Sequence, residues 1–127
     1  MSSTKIQKTI AIPQNGEVWI ARIPNQPKDP HQPRPVVIVS TNSQNKYLDS
    51  VIAIPTSTSI DEPYPKLHIF LPRETGGLPK DCYARCELVT TVDKSLLVKG
   101  PLGKAIDTKY RWQLINGVLH ALGGSTR

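Results

Sequence analysis

Several things are scarce in this sequence, and each scarcity excludes something. No apolar run approaches the roughly 20 residues that a bilayer-crossing helix needs, so the chain carries no candidate membrane span. Residues 1–14 are polar and basic, without the apolar core and cleavage site of a secretory signal, so a cytoplasmic home is expected. Only two cysteines occur, Cys82 and Cys86. On one strand they would share a face about 13 Å apart, too far for a disulfide. His31, His68 and His120 are too scattered to complete a zinc site with them. Two buried, reduced thiols are the expectation. Acidic residues are also short: ten Asp and Glu stand against sixteen Lys and Arg, for a net charge of +6. Such a surface favours polyanions, nucleic acid first, although solubility alone is the plainer reading.

Proline, in contrast, is plentiful. Twelve prolines cut the chain into short pieces and leave no room for a helical bundle. With 127 residues the chain suits one domain, residues 15–127, behind a polar N-terminal arm, residues 1–14. GEVWIARI (16–23) alternates and is rich in β-formers, a strand. PNQPKDPHQPRP (24–35) has no aliphatic residue and reads as a stiff, polyproline-like loop. VVIVS (36–40) is continuously apolar, hence a central strand, and TNSQNKY is a polar turn. SVIAIP (50–55), LHIFL (67–71) and CYARCELV (82–89) are further strands, and 90–106 is irregular with one helical turn and a short closing strand. Only the C-terminus has a helical period. From Asp107 or Thr108 as N-cap, Ile115, Val118, Leu119 and Leu122 fall on one face, and Gly123-Gly124 ends the helix. The sum is mainly β with a C-terminal helix, a small, strongly bent β-barrel.

The strand around CYARCELV carries the chemistry. Alternation puts Cys82, Ala84, Cys86 and Leu88 on the core face and Tyr83, Arg85 and Glu87 on the other. Arg85 and Glu87 would have Cα atoms about 7 Å apart, a span that brackets one phosphodiester. A guanidinium clamps phosphate oxygens bidentately, a carboxylate can take the proton of a ribose 2′-hydroxyl, and Tyr83 offers a base a stacking surface. The same pair is also an ordinary exposed ion pair worth under ~1 kcal/mol, and the strand alone leaves both readings open. Arg34 stands where the proline-rich loop meets the central strand, and Thr56 and Ser57 put hydroxyls at a strand end. A solvated loop charge and a capped turn are the blander versions of these. His68 and His120 read as structural, and Trp19 and Trp112 as core or dimer contacts.

GEVWIARI, RPVVIVS, IPTS and GLPKDCYARCELVTTVD, in that order and spacing over residues 16–93, resemble the MazF/PemK (Kid) toxins of bacterial toxin–antitoxin pairs. The resemblance implies an SH3-like barrel of the CcdB/PemK/MazF type, a homodimer, and sequence-selective cleavage of single-stranded RNA without metal or other cofactor. It matches the family's Arg-Pro arginine to Arg34, its Thr-Ser threonine to Thr56, and its Arg-Cys-Asp triplet to Arg85-Cys86-Glu87, with Glu replacing Asp. The catalytic set implied is Arg85, Glu87, Arg34 and Thr56, with His31, Gln32, Ser57 and Tyr83 toward RNA. His31 stands only three residues before Arg34, closer than the family's histidine, and a proline-rich loop replaces the usual glycine-rich one. An acidic antitoxin masking the basic groove is the implied protein partner. Two other readings remain: a CcdB-like topoisomerase poison, against which HALGGSTR lacks the expected terminal aromatic, and a non-catalytic RNA-binding barrel.

Overall fold

The structure, a computed structural model, describes residues 11–23 and 32–124. Residues 1–10 of the polar arm and residues 24–31 of the proline-rich loop, His31 among them, lie outside the described residues. Among the described residues, seven strands and two α-helices follow in order: β1 (Val18–Ala21), β2 (Arg34–Ile38), α1 (Asn42–Tyr47), β3 (Ser50–Ser57), β4 (His68–Leu71), β5 (Cys82–Arg85), β6 (Thr90–Asp93), β7 (Leu97–Lys99) and α2 (Thr108–Ala121). Every pairing is antiparallel. The order is β4-β5-β3-β2-β1-β7, with β6 added on β3, so the sheet runs open from β4 to β7.

Strand β3 bends the sheet. Its residues Ser50 to Ala53 pair with β6, while Thr56 and Ser57 pair with β5, and β2 takes the opposite edge. The two halves enclose a core on each face of the sheet. Val18, Val37, Ile54, Ala84 and Leu114 pack on one face; Trp19, Val36, Ile38, Val51 and Ala53 pack on the other. This double burial is why β2 reads as an unbroken apolar run rather than an alternating one. Trp19 is a core residue, with its indole N–H donating to Glu17 Oε1 at 3.0 Å.

Three local expectations are corrected. The polar turn at TNSQNKY is a six-residue helix, α1. Thr41 Oγ1 caps it by accepting from Gln44 N at 3.2 Å, and the fully buried Asn45 anchors it through Ser40. That anchor is polar, so no apolar period announces it. The second correction concerns the strand at 82–89. It ends at Arg85, and Cys86–Leu88 winds into a 3-10 turn.

The third concerns α2, whose inner face is not the apolar stripe read from the sequence. Leu114 and Gly117 are buried and, of the expected stripe, Val118 packs against the core, whereas Ile115, Leu119 and Leu122 are exposed. Gly117 decides this. A Cβ there would lie 2.5 Å from Cys86 Sγ, so only glycine lets the helix settle onto the turn that carries Glu87. Both thiols are free and buried. Burial pushes Cys82 up to about 11 and Cys86 up to about 12, so neither is a nucleophile near neutral pH.

Candidate active site

The hairpin β4–β5 turns on Gly76 and Gly77, both in the left-handed region. Its register sets His68 against Arg85 and Phe70 against Tyr83, while Ser57 of β3 pairs with Tyr83 from the other side. Directly paired residues share a face. One face therefore carries Ser57, Tyr83, Phe70, Arg85 and His68, and the core face takes Ile69, Ala84 and Cys82. Phe70 and Tyr83 meet edge to face with ring centroids 5.5 Å apart. An open groove beside them is lined by His68, Phe70, Tyr83, Lys109, Tyr110 and Gln113.

Arg85 and Glu87 come together as expected, but through the turn rather than along a strand. Arg85 Nε and Nη2 donate to Glu87 Oε2 at 3.1 and 2.9 Å. His68 Nε2 bonds the same oxygen at 3.1 Å. Glu87 Oε1 is buried and has no partner among the described residues. Burial pushes the Glu87 carboxyl up, yet its own backbone N–H, His68 and Arg85 together outweigh it, and the net value lies below the ordinary one. The sign for stability follows. A carboxyl held low in the fold stabilises it fully above the ordinary Glu value, about 4.3, and that contribution is lost as pH falls through the folded value. Glu87→Gln is therefore expected to unfold at lower urea than the wild type at neutral pH. The two midpoints should converge in acid, and a constant gap would contradict the assignment.

A second cluster forms where β3 ends. A cavity of about 190 Å³ is lined, among the described residues, by Arg34, Thr56, Ser57, Thr58, Ser59 and Lys80 and others. Arg34 begins β2, and its Nη1 donates to the Thr56 carbonyl at 2.6 Å. Thr56 is buried, and its hydroxyl donates to the Pro35 carbonyl at 2.8 Å. Its one proton is thus committed to the β2–β3 seam. Ser57 differs: its Oγ accepts from Ser59 N at 3.1 Å, which leaves the hydroxyl proton for a ligand. Gln32 clasps the neck of the proline-rich loop, donating to the Ile23 carbonyl at 2.9 Å and accepting from Ile23 N at 2.7 Å.

The structure thus gathers Arg85, Glu87 and Tyr83 in one cluster and Arg34, Thr56 and Ser57 in the next, joined by the Ser57–Tyr83 pairing. Sequence reasoning missed His68 and Phe70. A signal existed: folding the hairpin about Gly76-Gly77 sets residue 68 against 85 and 70 against 83, as observed.

Fold and site together define a class: a small, bent antiparallel β-protein with a C-terminal helix packed on one of its cores. A family model described as the PemK-like, MazF-like toxin of type II toxin–antitoxin systems matches residues 14–121. The chain belongs to that family. No curated protein matches it. Among solved structures it is similar to an endoribonuclease from a mycobacterial species, with a TM-score of 0.70 and 20% identity over 93% of this chain and 98% of that one. MazF from Deinococcus radiodurans superposes with a TM-score of 0.72 and 17% identity, covering 90% of this chain and 99% of that one. A mycobacterial endoribonuclease in complex with its cognate antitoxin gives 0.71 and 20% identity, covering 91% and 99%.

Proposed function

We propose that this toxin is an endoribonuclease that cleaves single-stranded RNA sequence-selectively, without metal, and so blocks translation and growth. The observation that carries the reading is the fixed guanidinium of Arg85. Of the five N–H donors of an arginine, two go to Glu87, which leaves three for phosphate oxygens. In the reaction the ribose 2′-oxygen attacks the adjacent phosphorus and its proton passes to the Glu87 carboxylate. Arg85, with Arg34 from the neighbouring cavity, stabilises the charge gathering on the non-bridging oxygens. The bond from phosphorus to the 5′-oxygen breaks, and that oxygen takes a proton from water. The products are a 2′,3′-cyclic phosphate and a 5′-hydroxyl. Ser57 donates to the phosphate, Thr56 keeps the seam that places it, and the Phe70–Tyr83 pair stacks an unstacked base. The direct test incubates the protein with mixed-sequence single-stranded RNA in EDTA and maps the ends. Discrete cuts with cyclic phosphate termini are expected, and intact RNA at every enzyme concentration would refute the reading.

Two partners belong to it. Similar structures are complexes with MazE or a cognate antitoxin, and an acidic, partly disordered antitoxin that covers Arg34 and Arg85 suits this chain's net charge of +6. The second partner is another copy. Trp112, Ile115, Leu119 and Leu122 form an apolar stripe along α2 with exposures of 59, 43, 40 and 74%, an area suited to symmetric self-pairing. Leu119→Glu is expected to turn a dimer into a monomer by light scattering, and an unchanged mass would place the interface elsewhere. Both partners suit a cytoplasmic protein.

A further inference from the structure

We infer that His68 is the positioning residue of this site: it fixes the Glu87 carboxylate and, through it, the orientation in which the Arg85 guanidinium meets phosphate. The catalytic consequence rests on the endoribonuclease reading; the geometry does not.

The hydrogen-bond partners assign the imidazole tautomer. Tyr64 N–H donates to His68 Nδ1 at 2.8 Å, so Nδ1 is an acceptor and the ring proton of the neutral imidazole sits on Nε2. That Nε2–H then donates to Glu87 Oε2 at 3.1 Å. The donor of this pair is itself held. The His68 side chain is only 11% exposed, and its backbone pairs with Arg85 in the β4–β5 ladder. Tyr64 is anchored as well, its ring set edge-on against His120 of α2 at 5.9 Å and its hydroxyl 3.3 Å from His120 Nε2.

Glu87 needs such a tie. It sits on a three-residue turn outside any ladder. Arg85 and Glu87 are only two residues apart, so an ion pair between them alone is a local one whose members can rotate together. His68 arrives from a different strand and bonds the very oxygen that Arg85 uses. It converts a local pair into a cross-strand lock, with all three side-chain donors on Oε2 and none on Oε1.

The test compares wild type, His68→Ala and His68→Gln on a single-stranded RNA oligonucleotide. Misplacing a catalytic group by about 1 Å costs up to roughly 100-fold. His68→Ala is expected to lower kcat about 10- to 100-fold while KM barely moves. His68→Gln, whose side-chain N–H can stand in for Nε2–H, should restore most of it. In a Glu87→Ala background His68→Ala should cost nothing more, because the two act as a unit. Full additivity there, or His68→Gln as poor as His68→Ala, overturns the inference. A second measurement needs no RNA. Carboxyl carbon NMR of Glu87 should show its titration midpoint rise in His68→Ala, as one stabilising donor to the carboxylate is gone. An unmoved midpoint overturns the positioning role. A raised midpoint in a protein that never cuts RNA leaves the lock standing and removes the endoribonuclease reading instead.

Discussion

Arg85→Ala is expected to slow RNA cleavage by about 10²- to 10³-fold, the usual cost of losing one preorganised donor at a developing oxyanion. The variant loses more than a charge. Glu87, half-buried, would keep only His68 and its own backbone N–H as donors, so the carboxyl should titrate nearer its ordinary value. Arg85→Lys is not a mild version of the change. An ammonium is a compact point charge, and it cannot hold Oε2 with two N–H groups of one rigid plane while offering three more. Both variants should therefore fall well below wild type, with Lys the better of the two because it retains the charge. Arg34→Ala is the informative comparison. If cleavage survives Arg85→Ala within a factor of a few but collapses in Arg34→Ala, the chemistry belongs to the cavity at the end of β3. Circular dichroism and urea midpoints separate lost chemistry from lost fold.

The second large effect is on stability. Gly117→Val is expected to cost about 3 kcal/mol, toward the upper end of overpacking penalties. Two physical effects compete at this position. Helix propensity alone favours replacing a mid-helix glycine, with alanine better by about 1 kcal/mol. Packing opposes it, since an added Cβ meets Cys86 Sγ at 2.5 Å and Cys86 Cβ at 3.0 Å. The Cys86 side chain is fully buried beneath α2, with its Sγ 3.7 Å from the Leu114 carbonyl, so the neighbour has little room to yield. Packing is expected to win even for Gly117→Ala. Combining Gly117→Ala with Cys86→Ala removes the sulfur and should recover much of the loss, a coupling that a double-mutant cycle in urea reads directly. Simple additivity, or a Gly117→Ala protein more stable than wild type, would show that α2 can lift off the turn at no cost.

These expectations explain what was legible in the sequence and what was not. Most strands were readable because each carries its own signal: the apolar VVIVS run marks a strand covered on both faces, although the strand itself runs from Arg34 to Ile38, and SVIAIP and LHIFL have β-formers bounded by turn residues. Thr90–Asp93, expected to be irregular, is instead strand β6, held by its pairing with β3. The helix was readable from Asp107 and Gly123-Gly124, which bracket it as observed. Its orientation was not. Periodicity counts apolar side chains, and the residue that matters most on the inner face has none. Ile115 and Leu119 supplied the apparent period from the outer face instead.

The candidate site divides along the same line. Arg85 and Glu87 are near neighbours in sequence, so their meeting was foreseeable even though a turn, not a strand, achieves it. His68 reaches Glu87 only through the cross-strand register of β4 and β5, a non-local fact that local composition does not contain. Thr56 was foreseen as a hydroxyl at a strand end, but the face it lands on follows from its pairing with Ala84, which turns it into the core.

The Gln32 clasp on Ile23 has an evolutionary consequence. Gln32 is joined to Ile23 by a pair of hydrogen bonds in which one side chain satisfies both backbone groups of its opposite number. What lies between, residues 24–31, can be lengthened, shortened or rewritten while the fastening remains.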